Sequence, residues 1–139
     1  MTLKTFGSKL KKLINSPAVF SLLPEGDWGA GGCWMLAEAV KQFLGAPAEL
    51  VAVVDRSGMV EHILVRYVDT YVDSNGAQNF MELRKSIAED PHYKKARYSI
   101  LKFSDRLRSR TIDEGYIPLD QSVVRSLVKV MHEAFPART

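Results

Sequence analysis

Apolar residues recur at spacings of three and four in several stretches of the chain, which is the pattern of a helix with one buried face. The predicted helices cover residues 3–15, 34–44, 80–88 and about 121–135. Gly45 supplies the stop for the second helix, Asp90-Pro91 ends the third, and Asp120 caps the fourth. The second of these helices begins directly after Cys33.

Other stretches are rich in Val, Ile, Leu and Tyr and are bounded by turn residues, which predicts strands. The predicted strands cover residues 50–54, 60–67, 70–73 and 98–103. Short turns separate the first three, so they predict an antiparallel meander. We therefore expect an α+β fold, in which the helix that follows Cys33 packs on an antiparallel sheet of three to four strands.

The chain has 139 residues, so we expect a single domain over residues 1–139. A composition of 46% hydrophobic and 25% charged residues is typical of a folded, soluble protein. No apolar run approaches the roughly 18 to 20 residues that span a bilayer, so no membrane segment is predicted. The single cysteine, Cys33, excludes an intrachain disulfide and favours a reducing compartment, so we expect a cytoplasmic protein.

The formal net charge of +3, with a pI near 9.0, is modest for this length. Positive charge concentrates late in the chain, where it could favour an acidic partner. The basic residues there are Lys94, Lys95, Arg97, Lys102, Arg106, Arg108 and Arg110. Few aromatic residues lie among them, so a solvated face is favoured over a nucleic-acid interface. The lysines of the first helix would suit a membrane surface, but that helix is short, and we expect it to dock on the core.

Cys33 lies where a glycine-rich loop, residues 24–32, meets a predicted helix. A cysteine nucleophile reacts as the thiolate, and a helix N-terminus or a nearby cation lowers the thiol pKa from about 8.5. The first N–H groups of the helix could also hold an oxyanion. The alternative interpretation is a small buried hydrophobic residue, which the sequence leaves open.

His62 interrupts an apolar strand, where its ring needs a polar partner if it is buried. If a two-residue turn precedes Thr70, then Tyr67 faces Thr70 across the hairpin. This register makes Asp73 the diagonal neighbour of His62 on one face and puts Asn75 directly opposite His62. A hydrogen-bonded core histidine and a turn-forming aspartate remain the alternative interpretations.

The segment Gly31-Gly32-Cys33-Trp34 resembles the loop and helix start of papain-type peptidases, and His62 followed by Asp73 is similar to the transglutaminase-like pattern. The resemblance covers residues 26–79 and implies a papain-like core in the broad sense, with Cys33 as nucleophile. It further implies that His62 is the base and that Asp73 orients the ring. Where papain has a glutamine as oxyanion donor, this chain has Asp27.

The sequence therefore predicts a cysteine-dependent hydrolase or acyltransferase that cleaves an amide, isopeptide or thioester bond of a protein or peptide. The predicted substrate-binding residues are Trp28, Gly32, Trp34 and Asn75. Core packing is the alternative for both tryptophans: it is favoured for Trp34 and stays open for Trp28. No cofactor and no metal are expected, because the chain lacks any close pair of metal ligands such as Cys-x-x-Cys. The alternative is a papain-like binding module without catalytic activity, with a protein or nucleic acid as its partner.

Overall fold

The computed structural model describes residues 2–22, 32–90, 97–113 and 119–135. These segments contain six helices and five strands. The helices are α1 (Leu3–Ile14), α2 (Pro17–Phe20), α3 (Cys33–Leu44), α4 (Phe80–Glu89), α5 (Asp105–Asp113) and α6 (Gln121–Ala134). The strands are β1 (Glu49–Asp55), β2 (Val60–Tyr67), β3 (Thr70–Asp73), β4 (Gly76–Asn79) and β5 (Tyr98–Lys102). The fold class is α+β, as predicted.

All five strands form one antiparallel sheet in the order β4-β3-β2-β1-β5. The predicted meander of β1, β2 and β3 is confirmed, but the expected total of three to four strands is wrong. The missed strand is β4, whose sequence Gly-Ala-Gln-Asn has little β propensity. It forms because the chain reverses tightly after Asp73, where Gly76 has a φ of +104° that favours glycine.

Two helices were not predicted because their sequences lack a clear apolar period. The helix α2 is a single turn that begins at Pro17, a residue suited to the first helical position. The helix α5 is mostly polar, and the Ser104 hydroxyl accepts a hydrogen bond from the Leu107 N–H at its start. The start of α2 is thus marked by a proline and that of α5 by a local hydrogen bond, rather than by an amphipathic pattern.

Helices cover both faces of the sheet. On one face, α1, α3 and α6 enclose the larger core, in which Phe6 stacks on Phe43 with ring centroids 5.5 Å apart. On the other face, Leu83 of α4 packs with Val51 and Leu64 of the sheet. In the described part of the chain, no helix combines the length and the apolar character that crossing a membrane requires.

The helix α1 lies directly against the edge strand β4. A Cβ atom at Gly7 would overlap the backbone nitrogen of Ala77, so the two backbones approach more closely than a side chain would allow. Lys4 donates a hydrogen bond to the Ala77 carbonyl oxygen at 3.2 Å. These contacts fix the position of α1 beside β4.

Candidate functional site

Cys33 is the first residue of α3, and its side chain is only 3% exposed. The N-cap residue, Gly32, has no side chain that could accept hydrogen bonds from the first helical N–H groups. The first turn of α3 also contains no acidic residue. A negative charge on the Cys33 sulfur would therefore benefit from the helix dipole without repulsion from a carboxylate in the same turn.

The register of the β2–β3 hairpin is the one that the sequence predicts. Tyr67 pairs with Thr70, and Val65 pairs with Val72. The turn between them has Val68 at a φ of 60°, which is a rare conformation for a β-branched residue. The hairpin brings Asp73, at the end of β3, within hydrogen-bonding distance of the His62 ring.

The Asp73 carboxylate uses both of its oxygens. Its Oδ2 atom lies 3.1 Å from His62 Nε2, and its Oδ1 atom accepts a hydrogen bond from the Asn75 N–H at 2.8 Å. The Asp73 side chain is 6% exposed, whereas the His62 side chain is 18% exposed. The carboxylate is thus nearly closed off from solvent, and the imidazole ring is the part of the pair that solvent can reach.

A β-bulge lies beside His62, and the sequence did not predict it. His62 pairs with Val53 of β1, but the next residue of β1, Val54, pairs with Val60, so Glu61 is the additional residue. Bulges of this kind bend a strand and change the direction of nearby side chains, and they are common next to active sites. The bulge therefore contributes to the direction in which the His62 ring points.

The second partner of the His62 ring is the Cys33 side chain, with which it forms a hydrogen bond. Since Asp73 occupies Nε2, Nδ1 is the ring nitrogen left for the sulfur. Burial alone lowers the pKa of His62, but hydrogen bonds to Asp73 and Cys33, together with the negative charges of both, raise it to about 10. Electrostatic coupling is mutual, so the protonated ring stabilises the Cys33 thiolate.

Three of the four predicted substrate-binding residues lie in the described segments, and they have different surroundings. Trp34 is 1% exposed and packs edge-on against Phe103, so it belongs to the core rather than to a cleft wall. Gly32 is buried at the start of α3. Asn75 lies exposed in the turn between β3 and β4, so the prediction that it pairs opposite His62 is wrong; its backbone N–H donates to the Asp73 carboxylate. The fourth, Trp28, lies outside the described residues, as does Asp27.

Arg108 of α5, which the sequence analysis placed only in a basic and solvated group, is partly buried and contacts α3. Its guanidinium lies 5.7 Å from the ring centroid of Trp34 and 5.4 Å from that of Phe103. It also pairs with Glu38 of α3 at 3.5 Å. Arg108 thereby connects α5 to the half of α3 that carries Cys33. No signal in the sequence points to this contact, because it depends on how the two helices pack.

Within the described segments, no group of three or more histidine, cysteine or acidic side chains is arranged to hold a metal ion. Comparisons with protein-family models, curated proteins and solved structures found no match to this chain. The chemistry of the site must therefore be inferred from its own geometry. That geometry is a thiol at a helix N-terminus, an imidazole beside it, and a buried carboxylate on the far side of the ring.

Proposed function

We propose that this protein is a cysteine-dependent hydrolase or acyltransferase that acts on an amide, isopeptide or thioester bond of a protein or peptide. The observation that carries the proposal is the pair of hydrogen bonds made by His62, one to Cys33 and the other to Asp73. A histidine buried for purely structural reasons can satisfy its two ring nitrogens with any polar groups, such as backbone carbonyls and N–H groups. A ring held between a thiol and a carboxylate instead has the connections of a catalytic triad.

In the proposed reaction, the Cys33 thiolate attacks the carbonyl carbon of the substrate and forms a carbon–sulfur bond. The carbonyl π electrons move to oxygen, where N–H groups at the start of α3 can stabilise the oxyanion. Protonated His62 then donates its proton to the leaving amine or thiol as the scissile bond breaks. The product of this first half is an acyl-cysteine on Cys33 and a neutral His62.

Water or an acceptor amine resolves the acyl-cysteine in the second half. His62 removes a proton from this incoming nucleophile as it attacks the thioester carbon. The tetrahedral intermediate expels the Cys33 thiolate, which restores the imidazolium–thiolate pair. Asp73 holds Nε2–H throughout, so that Nδ1 is the nitrogen that gives and receives the proton.

A papain-like core is part of the proposal. Its support is the arrangement of the chain: a helix with cysteine at its N-terminus packs against an antiparallel sheet, and histidine and aspartate come from neighbouring strands. The order cysteine, histidine, aspartate along the sequence agrees with the transglutaminase-like pattern. We also propose that the protein is cytoplasmic, because the Cys33 thiol would remain reduced in that compartment.

The experiment that tests the function is trapping of the acyl-cysteine. The protein is incubated near pH 6.5 with a small activated acyl donor, such as the phenyl thioester of acetic acid, in competition with glutathione. We expect intact mass spectrometry to show one acetyl adduct, peptide mapping to place it on Cys33, and hydroxylamine to remove it. An ordinary thiol of pKa about 8.5 would react at a rate comparable to glutathione. Acylation no faster than that of glutathione would argue for the binding module without catalytic activity.

A further inference from the structure

A groove of about 850 Å³ lies on the outer side of the sheet edge, between α1 and α4, with β4 as its floor. One wall is the exposed face of α1, which presents Lys4, Lys11 and Lys12. The opposite wall is α4, which contributes Glu82. The close contact of Gly7 with Ala77 holds the α1 wall against the floor, so the groove is a fixed feature of the fold.

The groove has unbalanced positive charge. Lys4 is already paired, because its ammonium group lies 3.4 Å from the Glu82 carboxylate. Lys11 and Lys12 are exposed and form no ion pair with any residue in the described parts of the chain. Two neighbouring ammonium groups without a carboxylate partner favour a ligand that carries negative charge.

The remaining lining favours a peptide over a nucleic acid. Neutral hydrogen-bonding side chains, among them Ser8, Asn15 and Gln78, line the rest of the groove. Asn15 donates to the Lys11 carbonyl and the Gln78 oxygen accepts from Ser86, so the Asn15 oxygen and the Gln78 amino group are the atoms suited to a peptide backbone. Among the residues that the structure describes, the lining contains no aromatic ring on which a base could stack and no arginine that could hold a phosphate with two parallel hydrogen bonds. The groove therefore has the features of a binding site for carboxylate side chains along a peptide.

The groove lies next to the turn that follows Asp73. Asn75 lines it, and the Asn75 N–H donates to the Asp73 carboxylate that holds His62. Building on the function proposed above, we propose that the groove binds an acidic segment of the protein substrate. The bond to be cleaved lies a few residues away from this segment, near Cys33. The groove thus selects substrates by charge, whereas the triad performs the reaction.

Fluorescence anisotropy of the full chain tests this proposal. The probe is a labelled peptide of alternating glutamate and glycine, and the comparison peptide has glutamine in place of glutamate. We expect the acidic peptide to bind more tightly, and the double variant Lys11→Glu with Lys12→Glu to weaken its binding about tenfold. The matched control is Lys9→Glu with Lys41→Glu, which makes the same change in net charge at exposed positions outside the groove lining. Added salt should weaken the binding, since the charges are exposed.

An equal loss of binding in the control variant would overturn the proposal, because it would show that only the net charge matters. Tighter binding of an oligothymidylate with the same number of charges would also overturn it, since the ligand would then be a nucleic acid. Iodoacetamide labelling of Cys33 is measured on the same samples and should be unchanged in both double variants. If Cys33 behaves as an ordinary thiol while the binding loss is confined to the groove variant, the catalytic proposal fails and the acidic ligand of the groove stands.

Discussion

Replacing Cys33 by alanine should abolish turnover of the acyl donor, with a loss of about a thousandfold or more, while the protein remains folded. The sulfur is the only atom in the proposed mechanism that forms a bond to the substrate, so no other group can replace it. The cost in stability has two sources: alanine leaves a small cavity at this buried position, which costs about 1 kcal/mol, and His62 loses the hydrogen bond and the charge of the sulfur. Thermal unfolding and steady-state hydrolysis of the phenyl thioester check the two halves of this prediction.

The Cys33→Ser variant is the control for packing, since its side chain has nearly the volume of cysteine but is a far weaker nucleophile at neutral pH. It should resemble the alanine variant in activity, and a comparison of the two variants in thermal unfolding separates the loss of packing from the loss of the charge on the sulfur. Turnover by Cys33→Ala at the unmodified rate would show that the thiol takes no part in catalysis. The hydrolysis would then have to arise elsewhere in the chain.

Replacing His62 by glutamine should change the pH dependence of Cys33 alkylation. In the unmodified protein the imidazolium and the helix N-terminus favour the thiolate, so the rate should change little between about pH 7 and pH 9. Without the cation, we expect the thiol pKa to rise toward its ordinary value of about 8.5. Since the thiolate fraction falls about tenfold per pH unit below the thiol pKa, labelling at pH 6.5 should slow by up to about a hundredfold.

The informative quantity is how the alkylation rate changes with pH. The absolute rate also depends on how easily the reagent reaches the sulfur, since Cys33 is only 3% exposed. Glutamine can still donate a hydrogen bond to Asp73, which limits the structural disturbance. The matched control is His132→Gln, which replaces an exposed histidine on α6 and should leave the profile unchanged. Identical profiles for His62→Gln and the unmodified protein would show that the ring does not activate the sulfur.

The contact between His62 and Asp73 could be predicted from the sequence because it depends only on which face of the hairpin each residue occupies. Side chains alternate along a strand, so once Tyr67 faces Thr70 the face of every residue in the hairpin is determined. The start of α3 at Cys33 was predictable for a similar reason, since an apolar helical period begins directly after it. Local patterns of this kind specify which residues share a face. They were enough to place His62 and Asp73 next to each other.

Features that depend on tertiary packing could not be predicted in this way. The bulge at Glu61 adds one residue to a strand whose sequence reads as regular, and it leaves no local signal. The stacking of Arg108 on Trp34 requires that α5 pack beside α3, although the sequence of α5 has no apolar period. Trp34, by contrast, has the core position that the sequence favours. It follows Cys33 in sequence, but successive residues of a helix point about 100° apart, and the ring enters the core.

The central claim is that the His62 ring lies between the Cys33 sulfur and the Asp73 carboxylate and is charged because of them. Titration of the His62 ring signals by nuclear magnetic resonance tests this most directly, in the unmodified protein and in Cys33→Ser. We predict that the pKa of His62 lies far above the ordinary value of about 6.5, toward about 10, and that it falls when serine removes the charge of the sulfur. A His62 that titrates near 6.5 in both proteins would contradict the claim.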